Sequence, residues 1–312
     1  MKKSLLILLF SSSLFAQVSS QKPMLGAQIN WVHPLAQGLV SCWLMNEGSG
    51  NKIFDYSEND YIGTFANGLS ESNWQLSERG TGINFEGDSE EYVDFGNSAF
   101  LYDNREFSIS CFVYLRDFSL SILPVIVSLR TNTVNSSTES WWLDFTNIGG
   151  FQDISFGSDN DWVVGVSGTL QGTLLNTWHH VVVTYNGKGA ISISNFKLYV
   201  DGLEYSLGTN SYGTTLVGNK IGSGVSGANN SNWNGVINNI MIWHRFFTPT
   251  EIQQLYREPY AMFEFPDSRV MFVQAPPAGG EQQRRRSVLI GQIDSSKSLI
   301  DMVFMDYLVD QN

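Results

Sequence analysis

The chain has 312 residues and a formal net charge of −12, so it can bury one full-sized core but leaves no room for a second large domain. Charged residues make up 15 % and aromatic residues 13 %, with 29 glycines, a composition that favours short β-strands and tight turns over long helices. The negative charge disfavours a phosphate backbone, and the one basic run, 284–286, is too short to form a groove. Nucleic acid is therefore not an expected partner.

Residues 1–20 have the pattern of a secretory signal peptide. A basic start is followed by the apolar run Leu5 to Phe10, and Ala16 and Ser20 are two competing cleavage points. The apolar stretch falls well short of the roughly 20 residues that a membrane span needs. We expect an exported chain, secreted or held at a cell surface, with residues 21–37 as a lead segment.

Between residues 38 and 243, short apolar runs alternate with clusters of glycine, asparagine, aspartate and serine. This pattern is typical of antiparallel β-structure. In Phe107–Leu115 every second residue is apolar, as a strand with one face on a core requires. The pairs Asn186-Gly187 and Asp201-Gly202 predict turns, because these residue types tolerate positive φ.

Cys42 and Cys111 are the only cysteines, and each lies in an apolar strand-like run. The simplest interpretation is two free, buried thiols. An exported chain permits a disulfide, but the sequence does not give the distance between the two Cα atoms.

One helix is predicted near the end of this region. Thr248 can cap it, Pro249 suits its first position, and Glu251 completes a capping box. We expect this short helix to close one end of the domain.

The composition changes after residue 265. Proline, glycine, glutamine and arginine predict a linker over residues 266–286. In residues 287–312 apolar side chains fall at helical spacing, which predicts an amphipathic helix.

The order of several motifs carries a resemblance. They are Gly38–Gly50, Asp55–Asp60, Ile83–Gly87, Tyr92–Asp94, Trp178–Gly187, Lys197–Gly202, and Ile221-Gly222 ahead of Trp233–Gly235. Together they resemble laminin-G-like jelly-roll domains of the concanavalin A-like lectin and glucanase type. The resemblance implies an all-β fold over residues 38–265, with two antiparallel sheets packed face to face and one short capping helix.

The flanks of the domain add a further resemblance. Residues 25–36 and 256–263 are similar to laminin-G-like proteins encoded by tailed phages. A virion location therefore stays open beside an exported one. The signal-like start departs from the phage pattern, in which the chain would begin near Met24.

Oxygen-bearing side chains crowd one turn: Asp55, Ser57, Asn59 and Asp60. Calcium takes six to eight oxygen ligands from such groups, and related domains often hold a structural calcium near this loop. A calcium site is one prediction for the turn. An Asx-rich turn without metal is the alternative.

The segment around Trp142 offers a sugar-binding candidate. In a strand, Leu143 would face the core while Trp142 and Asp144 project together from the opposite face. An aromatic ring can stack on a sugar while a carboxylate accepts its hydroxyl hydrogen bonds. Trp162 is added as a weaker third ligand-binding residue, and the alternative is that other parts of the chain cover Trp142.

Enzyme signatures are weak. The acidic run Glu86-Gly87-Asp88-Ser89-Glu90 has glycine and serine where jelly-roll glycosidases place apolar residues. The sequence therefore predicts no catalysis. It predicts a carbohydrate-binding or adhesion module whose partner is a glycan or surface polysaccharide, with a structural surface or virion component as the alternative and a glycoside hydrolase as the less favoured one. Oligomeric state is left open.

Overall fold

The computed structural model describes residues 22–87, 91–96, 106–121, 123–130, 140–148, 151–158, 162–165, 173–187, 194–210, 219–223, 231–264, 286–293 and 300–307. The predicted signal peptide and most of the predicted linker lie outside these residues. No helix within the described ranges is long and apolar enough to cross a membrane.

Strands are the dominant regular structure of the described chain, as predicted. In chain order the strands are β1 Gln28–Ile29, β2 Leu39–Trp43, β3 Lys52–Ile53, β4 Gly63–Ala66, β5 Trp74–Ser77, β6 Gly80–Glu86, β7 Tyr92–Asp94, β8 Phe107–Leu115, β9 Val125–Arg130, β10 Ser140–Ile148, β11 Phe151–Ser158, β12 Trp162–Gly165, β13 Trp178–Tyr185, β14 Phe196–Val200, β15 Leu203–Tyr205, β16 Leu207–Asn210, β17 Lys220–Ile221, β18 Asn234–Trp243, β19 Phe263–Glu264, β20 Arg286–Ile293 and β21 Ile300–Tyr307. Two 3₁₀ turns, Pro34–Ala36 and Glu71–Asn73, and one helix, α1 Pro249–Arg257, complete the elements.

Two large antiparallel sheets form the sandwich. One has nine strands in the order β16-β12-β11-β10-β9-β17-β7-β4-β3, and the other has eight in the order β15-β14-β13-β8-β18-β6-β5 with β2 also paired to β18. The short strands β1 and β19 pair separately. This architecture confirms the predicted two-sheet antiparallel jelly-roll sandwich.

Apolar side chains from both sheets meet between them. Phe107 of the eight-stranded sheet contacts Trp141 and Phe156 of the nine-stranded sheet, with ring centroids 5.5 and 5.7 Å apart. The alternating face predicted for Phe107–Leu115 belongs to this core. Burial of these rings is the main favourable contribution to folding.

A second apolar cluster covers the outer face of the eight-stranded sheet. Met241 and Trp243 of β18 pack there with Ile252 and Leu255 of α1 and with Leu35 of the lead segment. The predicted capping box is present, since Glu251 N–H donates a hydrogen bond to Thr248 Oγ1 and the Glu251 carboxylate accepts one from Thr248 N–H. The helix therefore lies on a sheet face, whereas the sequence analysis placed it at one end of the domain.

Both cysteines are free and buried, as the simplest interpretation predicted. Cys42 on β2 is paired with Met241, and Cys111 on β8 is paired with Ile240. Strand β18 therefore lies between them, and two strand spacings are about 10 Å. That separation exceeds the reach of a disulfide.

The C-terminal prediction of an amphipathic helix is wrong for the described residues. Strands β20 and β21 pair there as an antiparallel hairpin, from Arg286 opposite Tyr307 to Ile293 opposite Ile300. Residues 264–312 form a unit separate from residues 1–263. The β-branched residues of both segments favour strands. The apolar spacing permits either a helix or a strand, and the hydrogen bonds between the two strands decide for the strand.

At Gly235 in β18 the backbone of the neighbouring strand β8 approaches too closely to leave room for a side chain. The φ of Gly235, +151°, is unfavourable for a residue with a side chain, and a Cβ there would overlap the carbonyl oxygen of Tyr114. We expect Gly235→Ala to lower the free energy of unfolding by more than about 3 kcal/mol. Gly208→Ala in β16 is the matched control, because a Cβ at that position meets nothing within 4 Å. Denaturant unfolding of both variants checks this, and equal stabilities would contradict it.

Candidate functional site

The outer face of the nine-stranded sheet is the face turned away from the core. Directly paired residues of an antiparallel sheet share a face, and the pairings connect one row across all nine strands. This outer row is Lys52, Thr64, Asp94, Lys220, Ser128, Trp142, Gly157, Trp162 and Asn210. Its neighbours along each strand, such as Val93, Val127 and Leu143, are in the core.

Exposure changes along the outer row. Lys52, Thr64 and Asp94 are exposed and Lys220 is intermediate. Ser128 and Trp142 are only 2 % and 1 % exposed. The row is therefore accessible over β3, β4, β7 and β17 and covered over β9 and β10.

The structure confirms the predicted face of Trp142 and Asp144, and it fits the alternative that other parts of the chain cover Trp142. Both lie on the outer face, while Leu143 and Phe145 are in the core. However, Asp144 is 0 % exposed and Trp142 is almost fully buried. A ring without an accessible face cannot stack on a sugar, so in this conformation the pair does not form an open binding platform.

Trp162 lies in the outer row, two strands from Trp142, with Gly157 between them. The register therefore brings the two predicted tryptophans into one line, which the sequence alone did not suggest. The structure places the backbone of Trp162, and its role in ligand binding stays a prediction.

At the accessible end of the outer row, Thr64 and Asp94 line an open depression of about 360 Å³. Its lining residues are Ile62, Thr64, Phe65, Ala66, Asp94, Phe95 and Gly96. Tyr92 is on the same face, because Val93 between Tyr92 and Asp94 is buried in the core. The Lys220 ammonium lies 3.9 Å from the centre of the Tyr92 ring, and Asp94 Oδ1 accepts a hydrogen bond from Gly96 N–H at 2.9 Å.

Tyr92–Asp94 was recognised in the sequence as a family motif but not as a candidate ligand-binding site. The signal was present in the alternation of an aromatic, an apolar and an acidic residue. Lys220 is 126 residues from Asp94 along the chain but is directly paired with it in the sheet, so its contribution could not be found locally.

The loop predicted to bind calcium is organised by protein hydrogen bonds. Asp55 Oδ1 accepts from the N–H groups of Cys42 at 2.7 Å and Ser57 at 2.9 Å, and Oδ2 accepts from Tyr61 N–H at 3.2 Å. The Asn59 amide donates to Val40. Both carboxylate oxygens of Asp55 thus already accept hydrogen bonds from N–H groups, so this arrangement fits the alternative of an Asx-rich turn.

Asp60 is exposed, with a φ of +55°. Together with Asp55, Ser57 and Asn59 it does not form a fitted calcium site in this conformation. Calcium binding by the loop stays a prediction.

The acidic run considered for catalysis is only partly described. Glu86 ends β6 of the eight-stranded sheet and is exposed, and Gly87 has a φ of +76°. Asp88 and Glu90 lie outside the described residues. Glu86 is therefore on the other sheet from the outer row.

Two adjacent histidines on β13 have opposite protonation behaviour. His179 contacts Asp201 at 2.8 Å and the Thr173 carbonyl at 2.9 Å. Burial disfavours its charged form, but the hydrogen bond and charge of Asp201 outweigh burial and raise the pKa of His179. Burial lowers the pKa of His180 to about 3, so this ring, stacked on Phe112, is neutral.

The His179–Asp201 pair predicts a pH-dependent stability. A raised histidine pKa contributes stability below the unfolded pKa of about 6.5, and this contribution is lost as pH rises through the folded pKa. Burial alone would raise the pKa of Asp201, but the hydrogen bonds from His179 and from His180 N–H outweigh it and lower this pKa. The Asp201 carboxylate therefore stays charged in acid. We expect Asp201→Asn to lose about 1.5 kcal/mol more at pH of about 5.5 than at about 9.

Denaturant unfolding of the wild type and Asp201→Asn at both pH values measures this difference. Asparagine tolerates the positive φ of 52° at the Asp201-Gly202 turn. His180 gives the opposite pH slope in both proteins, so it largely cancels in the comparison. An equal loss at both pH values would contradict the prediction.

The burial of Trp142 gives a second prediction. Because the ring is enclosed, Trp142→Ala should lower the free energy of unfolding by about 3–5 kcal/mol. Trp31, which is 37 % exposed, supplies the matched control, and Trp31→Ala should change stability much less. Thermal and denaturant melts of both variants distinguish a packed ring from an open platform. A fully stable Trp142→Ala protein would restore the original prediction.

Comparisons with solved structures found distant similarities. Domain 4 of AbnA, a GH43 extracellular arabinanase from Geobacillus stearothermophilus solved with arabinotriose, is 18 % identical with a TM-score of 0.45, over 70 % of this chain and 98 % of that one. A Trypanosoma rangeli sialidase is 14 % identical with a TM-score of 0.44, over 80 % of this chain and 38 % of its own. The receptor binding domain of botulinum neurotoxin D is 16 % identical with a TM-score of 0.43, over 70 % and 52 %.

At these levels the three structures decide neither ligand nor activity, and this chain spans well under two thirds of the sialidase and of the neurotoxin domain. No curated protein sequence matches the chain. The family model Laminin_G_3, described as concanavalin A-like lectin/glucanases superfamily, matches residues 87–253. The match covers more than half of the chain and agrees with the two-sheet sandwich, so the chain belongs to the concanavalin A-like lectin/glucanases superfamily.

Proposed function

We propose that the chain is a non-catalytic carbohydrate-binding or adhesion module of an exported or surface protein. One observation carries the proposal: Thr64 and Asp94 line an open depression at the accessible end of the outer row. Lys220 is paired with Asp94 in the sheet, and its ammonium lies on the Tyr92 ring. We infer that a glycan or surface polysaccharide binds at this depression and not at Trp142 and Asp144, which are buried.

The chemistry of these side chains suits a saccharide. A tyrosine ring offers an apolar surface to sugar C–H groups. The Asp94 carboxylate accepts hydrogen bonds from hydroxyl groups, the Thr64 hydroxyl can donate or accept, and the Lys220 ammonium donates. An aromatic surface with a few convergent polar groups is the usual composition of a small-molecule site.

The distribution of carboxylates supports a binding role over catalysis. Glycoside hydrolysis needs two carboxyl groups placed about 5–9.5 Å apart across the scissile bond. Among the described residues that line the depression, Asp94 alone carries a carboxylate. A single carboxylate can orient a sugar hydroxyl but cannot supply both the acid and the nucleophile or base.

The outer face of the nine-stranded sheet is also the face left for a ligand. The corresponding face of the eight-stranded sheet is occupied by α1 and the lead segment. The signal-peptide pattern of residues 1–20 supports export, which would bring this face into contact with extracellular glycans.

A glycan array of neutral and acidic saccharides, followed by titration calorimetry, tests the proposal. We expect Tyr92→Ala and Asp94→Asn each to weaken binding about tenfold, from the loss of about 1–2 kcal/mol of aromatic or charge-assisted contact. Tyr114→Ala is the matched control, because Tyr114 is a half-buried tyrosine on the outer face of the other sheet.

Binding that is unchanged in Tyr92→Ala and Asp94→Asn would show that the site is wrong. A folded wild-type protein that binds no saccharide, and whose oligomeric mass changes on Tyr92→Ala, would favour the structural surface or virion component. Release of reducing sugar by the wild type would favour the hydrolase.

A further inference from the structure

Four oxygen-bearing side chains form a buried cluster on strands β10 and β11. Asp144 is paired with Ser155, and Thr146 with Asp153. Residues two apart on a strand share a face, so all four side chains lie together on the outer face, beside Trp142. Their exposed fractions are 0 % for Asp144 and Ser155, 3 % for Asp153 and 5 % for Thr146.

The hydrogen bonds of the described residues leave this cluster incomplete. Asp144 Oδ1 accepts a hydrogen bond from Ser155 Oγ. Asp144 Oδ2 and Thr146 Oγ1 are buried and have no hydrogen-bond partner among the described residues. A buried polar atom without a partner costs about 1–3 kcal/mol, and more if the group is charged.

A charge on Asp144 has no described counter-ion. The ion pairs found within the described ranges join other residues. Asp153 adds a second carboxyl group one pair along the same two strands. The buried Asp144 carboxyl group therefore needs either a proton or a cation to compensate it.

The donor set favours a cation. Calcium and related hard cations prefer carboxylate and hydroxyl oxygens and take six to eight of them. Two aspartates and two hydroxyl side chains can offer up to six oxygens. Two of these atoms, Asp144 Oδ2 and Thr146 Oγ1, are buried and have no hydrogen-bond partner in the described part of the chain. We propose that Asp144, Thr146, Asp153 and Ser155 hold a calcium-type cation on the outer face between β10 and β11.

The proposal is independent of sugar binding at the other end of the outer row. It moves the expected calcium site from the Asp55 loop to the β10–β11 pair. A cation there would stabilise this strand pair and the adjacent Trp142 ring, because it compensates the buried Asp144 carboxylate, which has no counter-ion among the described residues.

Calcium-dependent melting and terbium luminescence of the full chain test the site. Calcium should raise the melting temperature relative to chelator, because it binds the folded state alone. Terbium, a luminescent substitute for calcium, should emit on tryptophan excitation, since Trp142 is adjacent to the cluster. Trp142→Phe should reduce this emission while keeping the calcium-dependent rise in melting temperature.

Asp144→Asn removes the proposed charge and keeps the shape of the side chain. It should weaken terbium binding at least tenfold and abolish the calcium effect, while its stability in chelator should equal or exceed that of the wild type. Thr146→Val, which removes one oxygen without changing charge, should also weaken terbium binding. Its effect keeps the test decisive if Asp144→Asn fails to fold.

Asp60→Asn is the matched control, because it makes the same chemical change at an exposed position of the Asp55 loop. Terbium binding and the calcium effect should both be retained in this variant.

The proposal is overturned if the wild type shows no calcium effect and no terbium emission, or if Asp144→Asn and Thr146→Val bind terbium normally. Loss of binding in Asp60→Asn would return the site to the loop. Glycan titration of Asp144→Asn, with the site around Tyr92 intact, separates a failure of this proposal from a failure of sugar binding.

Discussion

The fold depends on one fully buried strand that pairs with three others. Strand β18 pairs with β8 along one edge, while β6 and β2 share its other edge. The register against β8 shifts between Ile237 and Asn239, so Asn238 is a bulge within the core of the sheet. A bulge leaves polar groups without ladder partners, and here side chains supply them. Asn238 donates to the carbonyls of Arg79 and Thr81, and its own carbonyl accepts from the Lys22 ammonium.

This arrangement determines which sheet face is free for function. Because β18 presents Met241 and Trp243 to α1 and the lead segment, the outer face of the eight-stranded sheet is covered by apolar packing. The nine-stranded sheet carries polar and aromatic residues on its outer face. That face has an accessible end at Thr64 and Asp94 and a buried part in which Asp144 Oδ2 and Thr146 Oγ1 have no hydrogen-bond partner among the described residues. The two proposed binding sites therefore lie on one face of the same sheet.

Local patterns predicted much of the fold from the sequence. The alternation in Phe107–Leu115 identified a core strand, the Thr248 to Glu251 spacing identified a capped helix, and Asp201-Gly202 identified a turn with positive φ. Each of these features depends on residues a few positions apart, where backbone geometry and side-chain spacing act directly. The candidate site was predicted less well. The face of Trp142 was predicted correctly because alternation is local, whereas the sequence left open whether the ring is exposed or covered.

The sequence by itself determined the β-rich architecture, the helix capped by Thr248 and the face on which Trp142 lies, because these follow from periodicity and turn chemistry. The tertiary structure alone decided that Trp142 is covered, that Lys220 lies beside Asp94, and that Asp144 and Asp153 share one buried cluster. It also gave strands to residues 286–293 and 300–307, where the apolar spacing suited a helix. Exposure and strand pairing depend on which distant segments pack together, and no short stretch of sequence encodes that choice.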